Sequence, residues 1–175
     1  MSKRESRKAR GLLIWMATLA LASVAAILGA APAGAAEPDF SFDLPAGLAC
    51  AGFDLHVEGH GDNRIMREFT DKNGNLVRTL AAGRGYDLTF VNLATNEKLE
   101  LPSNGSVTRT SVNADGTTTV DSTGHNVLIL FPTDVPAGPS TILYVGRLVY
   151  TVDANEVFTV QKVSARKIDL CALLG

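Results

Sequence analysis

The stretch His56-Val57-Glu58-Gly59-His60 carries two imidazoles and a carboxylate at alternate positions. Alternate residues of a strand share a face, so the three side chains can project together, and two histidines with a carboxylate are the ligand set of many zinc sites. The same alternation puts them on the wet face opposite Phe53, Leu55 and Val57, where polar groups need no function, and Gly59 is suited to end the strand. The expectation is no bound metal and no cofactor. His125 offers a further nitrogen, but it reads better as part of a turn at Thr123-Gly124-His125-Asn126.

Other short motifs fail at their spacing. Asp71-Lys72-Asn73-Gly74-Asn75 resembles the opening of a calcium loop, yet the sixth and twelfth positions, glycine and glutamate in an EF-hand, are Leu76 and Ala82 here. A hairpin turn is the favoured reading. Gly83-Arg84-Gly85-Tyr86 is glycine-rich but lies between strands, without the following helix whose N-terminus would hold phosphate. Neither Gly-x-Ser-x-Gly nor His-Glu-x-x-His occurs, so no catalytic residue is assigned.

Phe131-Pro132-Thr133-Asp134-Val135-Pro136-Ala137-Gly138-Pro139 is the candidate recognition loop. Proline fixes φ and lowers the entropy lost on binding, so three prolines can present Thr133 and Asp134 in a prepared geometry. A rigid connection between two strands is the plainer alternative. Arg147 falls in the row of Leu143, Val145 and Val149, where it would need a carboxylate partner such as Asp134.

These groups must be positioned by strands, because helix signals are nearly absent after Gly52. Asn73-Gly74, Asn104-Gly105 and Asp115-Gly116 stand between β-rich runs, where a tight hairpin demands residues tolerant of positive φ. Ala94–Glu97 and Asp153–Glu156 read as further turns. Phe53, Leu55 and Val57, like Tyr86, Leu88 and Phe90, alternate with polar residues and predict half-buried strands. Val127–Phe131 and Ile142–Tyr150 are apolar on both faces and predict central strands. The Thr-rich runs Ser106–Val112 and Thr117–Ser122 predict a polar hairpin at an exposed edge, and the last residues predict a single helical turn. About nine or ten strands in an antiparallel β-sandwich satisfy this pattern, with a closed β-barrel as the alternative.

The first 36 residues have a different character. A basic start (Lys3, Arg4, Arg7, Lys8, Arg10), an apolar run from Gly11 to Ala30 and small residues at Ala33-Gly34-Ala35-Ala36 predict a secretory signal peptide over 1–36, leaving a single all-β domain over 37–175. The apolar run approaches the roughly 20 residues that span a bilayer, so an uncleaved anchor is the alternative. The remaining part holds 17 acidic and 11 basic residues, six net negative charges, which disfavours nucleic acid and other polyanions. Trp15 is the only tryptophan, so any sugar-stacking platform in the domain must come from Tyr or Phe. Cys50 and Cys171, the only cysteines, are expected to form a disulfide in an oxidising compartment. Closing a loop of about 120 residues stabilises the fold by roughly 4–5 kcal/mol in the chain-entropy model.

Several stretches resemble an uncharacterised family of small secreted actinobacterial proteins. They are Cys50-Ala51-Gly52-Phe53-Asp54, Phe69-Thr70-Asp71-Lys72-Asn73-Gly74, Gly124-His125-Asn126 leading into Phe131-Pro132-Thr133-Asp134, then Pro136-Ala137-Gly138-Pro139, Tyr144-Val145-Gly146-Arg147 and Asp169-Leu170-Cys171. The resemblance implies export and a single domain, and it carries over no catalytic or ligand-binding residue. The functional expectation is a secreted, non-catalytic β-domain that binds an unknown protein or envelope component. A small secreted hydrolase or metal-binding protein is the alternative.

Overall fold

The computed structural model describes residues 37–175; the expected signal peptide over 1–36 lies outside them. Ten strands and one short helix follow one another: β1 (Phe40–Leu44), β2 (Leu55–His60), β3 (Asn63–Thr70), β4 (Leu76–Arg84), β5 (Asp87–Asn92), β6 (Lys98–Leu101), β7 (Ser106–Val112), β8 (Thr118–Leu130), β9 (Ser140–Val152), β10 (Phe158–Asp169) and α1 (Leu170–Leu174). They form an antiparallel sandwich of a four-stranded sheet, β1-β2-β5-β6, and a six-stranded sheet, β10-β9-β8-β7-β4-β3. Neither sheet closes into a barrel.

The two central strands are apolar on both faces because each face meets its own core. Val127, Ile129, Leu143 and Ile168 pack with Leu55, Val57 and Phe90 between the sheets. On the opposite face Leu128, Leu130, Tyr144 and Leu148 form a second core with Tyr150, Phe158 and Val160. Cys50 and Cys171 are disulfide-bonded across a separation of 121 residues. The bond fastens α1, whose Leu170 and Leu174 are buried in the inter-sheet core. Asn92 Nδ2 donates to Leu174 O at 3.0 Å and holds the C-terminus in place.

Asn73-Gly74 and Asp115-Gly116 make the expected hairpins β3–β4 and β7–β8, with positive φ at both glycines. Asn104-Gly105 does not. It carries the chain from β6 in one sheet to β7 in the other, so its positive-φ glycine serves a crossover. The Thr-rich hairpin is likewise interior rather than an edge: β7 lies between β4 and β8. Its hydroxyls satisfy one another there, as in the 2.6 Å bond between Thr108 Oγ1 and Ser122 Oγ. The edges of this sheet are β10 and β3, and β3 is exposed along its whole length, where Arg64, Arg67 and Glu68 discourage pairing with another chain.

Gly124-His125-Asn126 is not a turn either, for β8 runs unbroken through it. A line of small residues crosses the sheet at this level: Gly83, Ser106, Gly124, Gly146 and Ala165 are successive register partners on β4, β7, β8, β9 and β10. On one side of that line the sheet is six strands wide. On the other, β4 and β7 have ended and only β8, β9 and β10 continue. The four-stranded sheet packs against this narrow half, through Val127, Ile129, Leu143 and Ile168.

The sheet bends at the line. Residues four apart on a straight strand lie about 13 Å apart. Yet Ser122 Oγ donates to Asn126 Oδ1 at 2.7 Å, and the two flank Gly124, whose φ is +100°. A strand can bring such residues together only by folding sharply between them, which a glycine at positive φ permits. The face carrying Ser122, Asn126, Leu128 and Leu148 is therefore concave, and its two halves close on each other to make the second core.

Candidate ligand cavity

The residues singled out by chemistry in the sequence are mostly occupied structurally. His56 is held between two carboxylates, with Nδ1 2.5 Å from Asp43 Oδ1 and Nε2 3.0 Å from Glu58 Oε1. The hydrogen bond to Asp43 and then that to Glu58 raise its pKa. Both ring nitrogens are thus engaged by carboxylates. His60 stands across from Asp87 and does not join the group, and no group of three or more metal-ligating side chains converges among the described residues. Asp71 accepts from the backbone N–H groups of Asn73 and Asn75 and from Asn75 Nδ2, which closes the β3–β4 turn.

In the proline-rich loop, Thr133 is exposed but Asp134 is only 3% exposed. Asp134 Oδ2 accepts from Phe131 N at 2.6 Å and Oδ1 from Phe158 N at 2.8 Å. Val135 adds a bridge to Thr159, donating to Phe158 O and accepting from Val160 N. The loop is thus tied to β10, and Asp134 does the tying rather than being offered to a partner. Arg147 pairs with Asp121, not with Asp134, through Nε to Oδ1 at 2.8 Å and Nη2 to Oδ2 at 2.7 Å.

A cavity of about 330 Å³ lies where the sheet narrows. Strand β7 pairs with β8 only as far as Ser106 and Gly124, so β8 from His125 to Leu130 pairs with β9 alone. The cavity runs along this free edge, roofed by Gly85 and Tyr86 from the β4–β5 crossover and by Pro102–Asn104 from the β6–β7 crossover. Leu88 and Leu101 of the four-stranded sheet and Leu128, Leu148 and Tyr150 of the bent sheet supply apolar walls. Tyr86 is fixed by an edge contact with Phe40 at 4.9 Å and by the Arg64 guanidinium over its ring at 5.6 Å. Arg64 is in turn compensated by a two-pronged pair with Asp62. Burial raises the Tyr150 phenol above its ordinary pKa and keeps it neutral.

A polar chain runs into this space. With Ser122 Oγ donating to Asn126 Oδ1, the hydroxyl of Thr108 must donate to Ser122 Oγ, so every proton in the chain is directed. At its end, Asn126 Nδ2 is buried with no hydrogen-bond partner. An unpaired buried donor costs about 1–3 kcal/mol. Asn126 lines the cavity, and a turn of its side chain would bring this donor to a ligand acceptor there. Thr108, Ser122 and Asn126 escaped the sequence reading because two were assigned to an edge hairpin and one to a turn. The available signal was the shared parity of Ser122 and Asn126 with Leu128 and Leu130 on β8, hidden by Gly124.

Comparison of the chain with protein-family models, curated proteins and solved structures returned no match in any of the three.

Proposed function

We propose that this is a secreted, non-catalytic binding domain that holds a small, neutral, polar ligand, of which a monosaccharide unit of the cell envelope is the best chemical fit. The observation that carries the reading is a buried, unpaired amide donor, Asn126 Nδ2, on a residue that borders a cavity walled by Tyr86, Tyr150 and leucines. A sugar ring presents hydroxyl oxygens to such a donor and an apolar face to the walls. With no tryptophan after Trp15, the two tyrosines are the aromatic surfaces on hand. Export is supported by the disulfide, which persists in oxidising compartments. No helix among the described residues is long and apolar enough to cross a membrane.

Binding is favoured over hydrolysis by the lining itself. It contains one imidazole, His125, and no carboxylate. The paired carboxyl groups of glycoside hydrolysis are missing, as is an acid to orient His125 as a base. The test is a titration of the protein with a panel of neutral mono- and disaccharides, followed by NMR of the Asn126 side-chain amide. One or more sugars should shift that resonance saturably. Asn126→Leu should keep the fold, because Ser122 can still bond Thr108, and lose the binding. No shift across the panel, or undiminished binding by Asn126→Leu, would refute the proposal.

A further inference from the structure

The outer face of the wide half of the six-stranded sheet is not covered by the four-stranded sheet, and its charge is opposite to that of the domain. Register places Arg67, Arg109, Asp121 and Lys162 in one transverse row that crosses from β3 to β10. Arg78 and Arg147 stand in the rows on either side, facing the same way. With strands about 4.8 Å apart, the row is about 24 Å long. Five of the 11 basic residues after residue 36 are on this face, and one of the 17 acidic ones. That one, Asp121, is already engaged by Arg147. Arg147 holds its carboxyl below the usual range, and Arg109 and Lys162 act on it in the same direction through space. Four positive charges remain uncompensated. A shallow depression of about 220 Å³ runs between Arg109 and Arg147 over Asp121.

We propose that this face binds an extended, phosphate-bearing polymer of the cell envelope. Its charges are spread across the six strands, so a single small anion would meet one or two of them, whereas a chain laid across the strands meets all five. Four of the five are arginines, whose planar fork suits phosphate oxygens. Arg78 lies over the Phe69 ring at 4.3 Å, which steadies its side chain. The negative net charge of the domain does not oppose this, because the Debye length of about 10 Å at 0.1 M salt confines the field to the nearby face. The surface lies on the convex side of the wide half and the cavity along the free edge of β8, and none of the five basic residues lines the cavity, so the two sites can be tested separately.

The probe is synthetic poly(glycerol phosphate), with polygalacturonate and phosphatidylglycerol vesicles as parallel arms. Counterion release with four net contacts and about 0.7 per contact gives a log–log salt slope near −2.8, or about a 50-fold loss of affinity between 50 and 200 mM NaCl. Arg109→Gln with Lys162→Gln should halve the slope, leaving about a sevenfold loss over the same range. Lys72→Gln with Lys98→Gln changes net charge equally at sites off this face and should bind like the unaltered protein. All these side chains are exposed, so melting temperature should stay nearly constant. Equal weakening by the two double variants would reduce the effect to net charge and overturn the proposal. So would failure to bind the polymer at 50 mM salt, or binding to polygalacturonate or the vesicles in its place.

Discussion

Replacing Gly124 by alanine tests whether the bend that shapes the cavity is held by that glycine. A Cβ built there would lie 2.5 Å from Gly105 O and 2.9 Å from Ser106 Cα, both backbone atoms of the adjoining strand and crossover. An L-residue at φ +100° also pays for its backbone conformation, about 1–2 kcal/mol. Pushing the neighbouring backbone aside adds about 1–3 kcal/mol. The total is about 2–5 kcal/mol, near 3.5 at mid-range. For about 140 residues, unfolding entropy near 2.1 cal/mol/K per residue converts each kcal/mol to about 3–4 °C, so Tm should fall by about 12 °C. Gly116→Ala is the matched control: its φ is +83°, but nothing lies within 4 Å of the new Cβ. It should cost only the backbone preference, about 1 kcal/mol or about 3 °C. Thermal unfolding followed by far-UV circular dichroism reads both. Equal losses in the two variants would show that the strands beside Gly124 give way freely, and the account of the bend would fail.

Asp134→Ala should orphan the N–H groups of Phe131 and Phe158 and cost about 2–4 kcal/mol in urea unfolding, while Thr133→Ala stays within about 0.5 kcal/mol. A midpoint unchanged by Asp134→Ala would refute the tether. The raised pKa of His56 makes its contribution to stability fully present below about pH 6.5, the unfolded value, and lost as pH rises through the folded value. Melting temperature should therefore drift down between pH 6 and 8.5 in the protein and less so in Asp43→Asn. A His56 titration by NMR at or below 6.5 would contradict the carboxylate cage.

What the sequence made legible is what local chemistry decides. Asn73-Gly74 and Asp115-Gly116 specify tight turns through two residues, and the unbroken apolar runs of β8 and β9 announce burial on both faces without reference to any other strand. Asn104-Gly105 has the same chemistry but joins strands of different sheets, because pairing is settled by partners far away in the chain. The Thr-rich runs read as an edge for the same reason. Polarity suggests water, but Thr108 and Ser122 find each other and Asn126 inside the bend. Gly124, which reads as part of a turn from Thr123 to Asn126, is a hinge within β8.

The outer face was hidden by a single residue. Phe158 and Val160 alternate inward on β10, and a strict period of two would send Lys162 into the second core beside Val160. A bulge between Val160 and Lys162 inserts Gln161, so that Val160 faces Tyr150 and Lys162 faces Val149, its neighbour in sequence and its opposite in the pleat. One added residue moves every later side chain of the strand to the other face. Val163 thereby enters the core, and Lys162 comes into line with Arg67 and Arg109. Net charge could not show this, since it sums over all faces. The segregation exists only once the register of all six strands is fixed, and on β10 that register turns on Gln161.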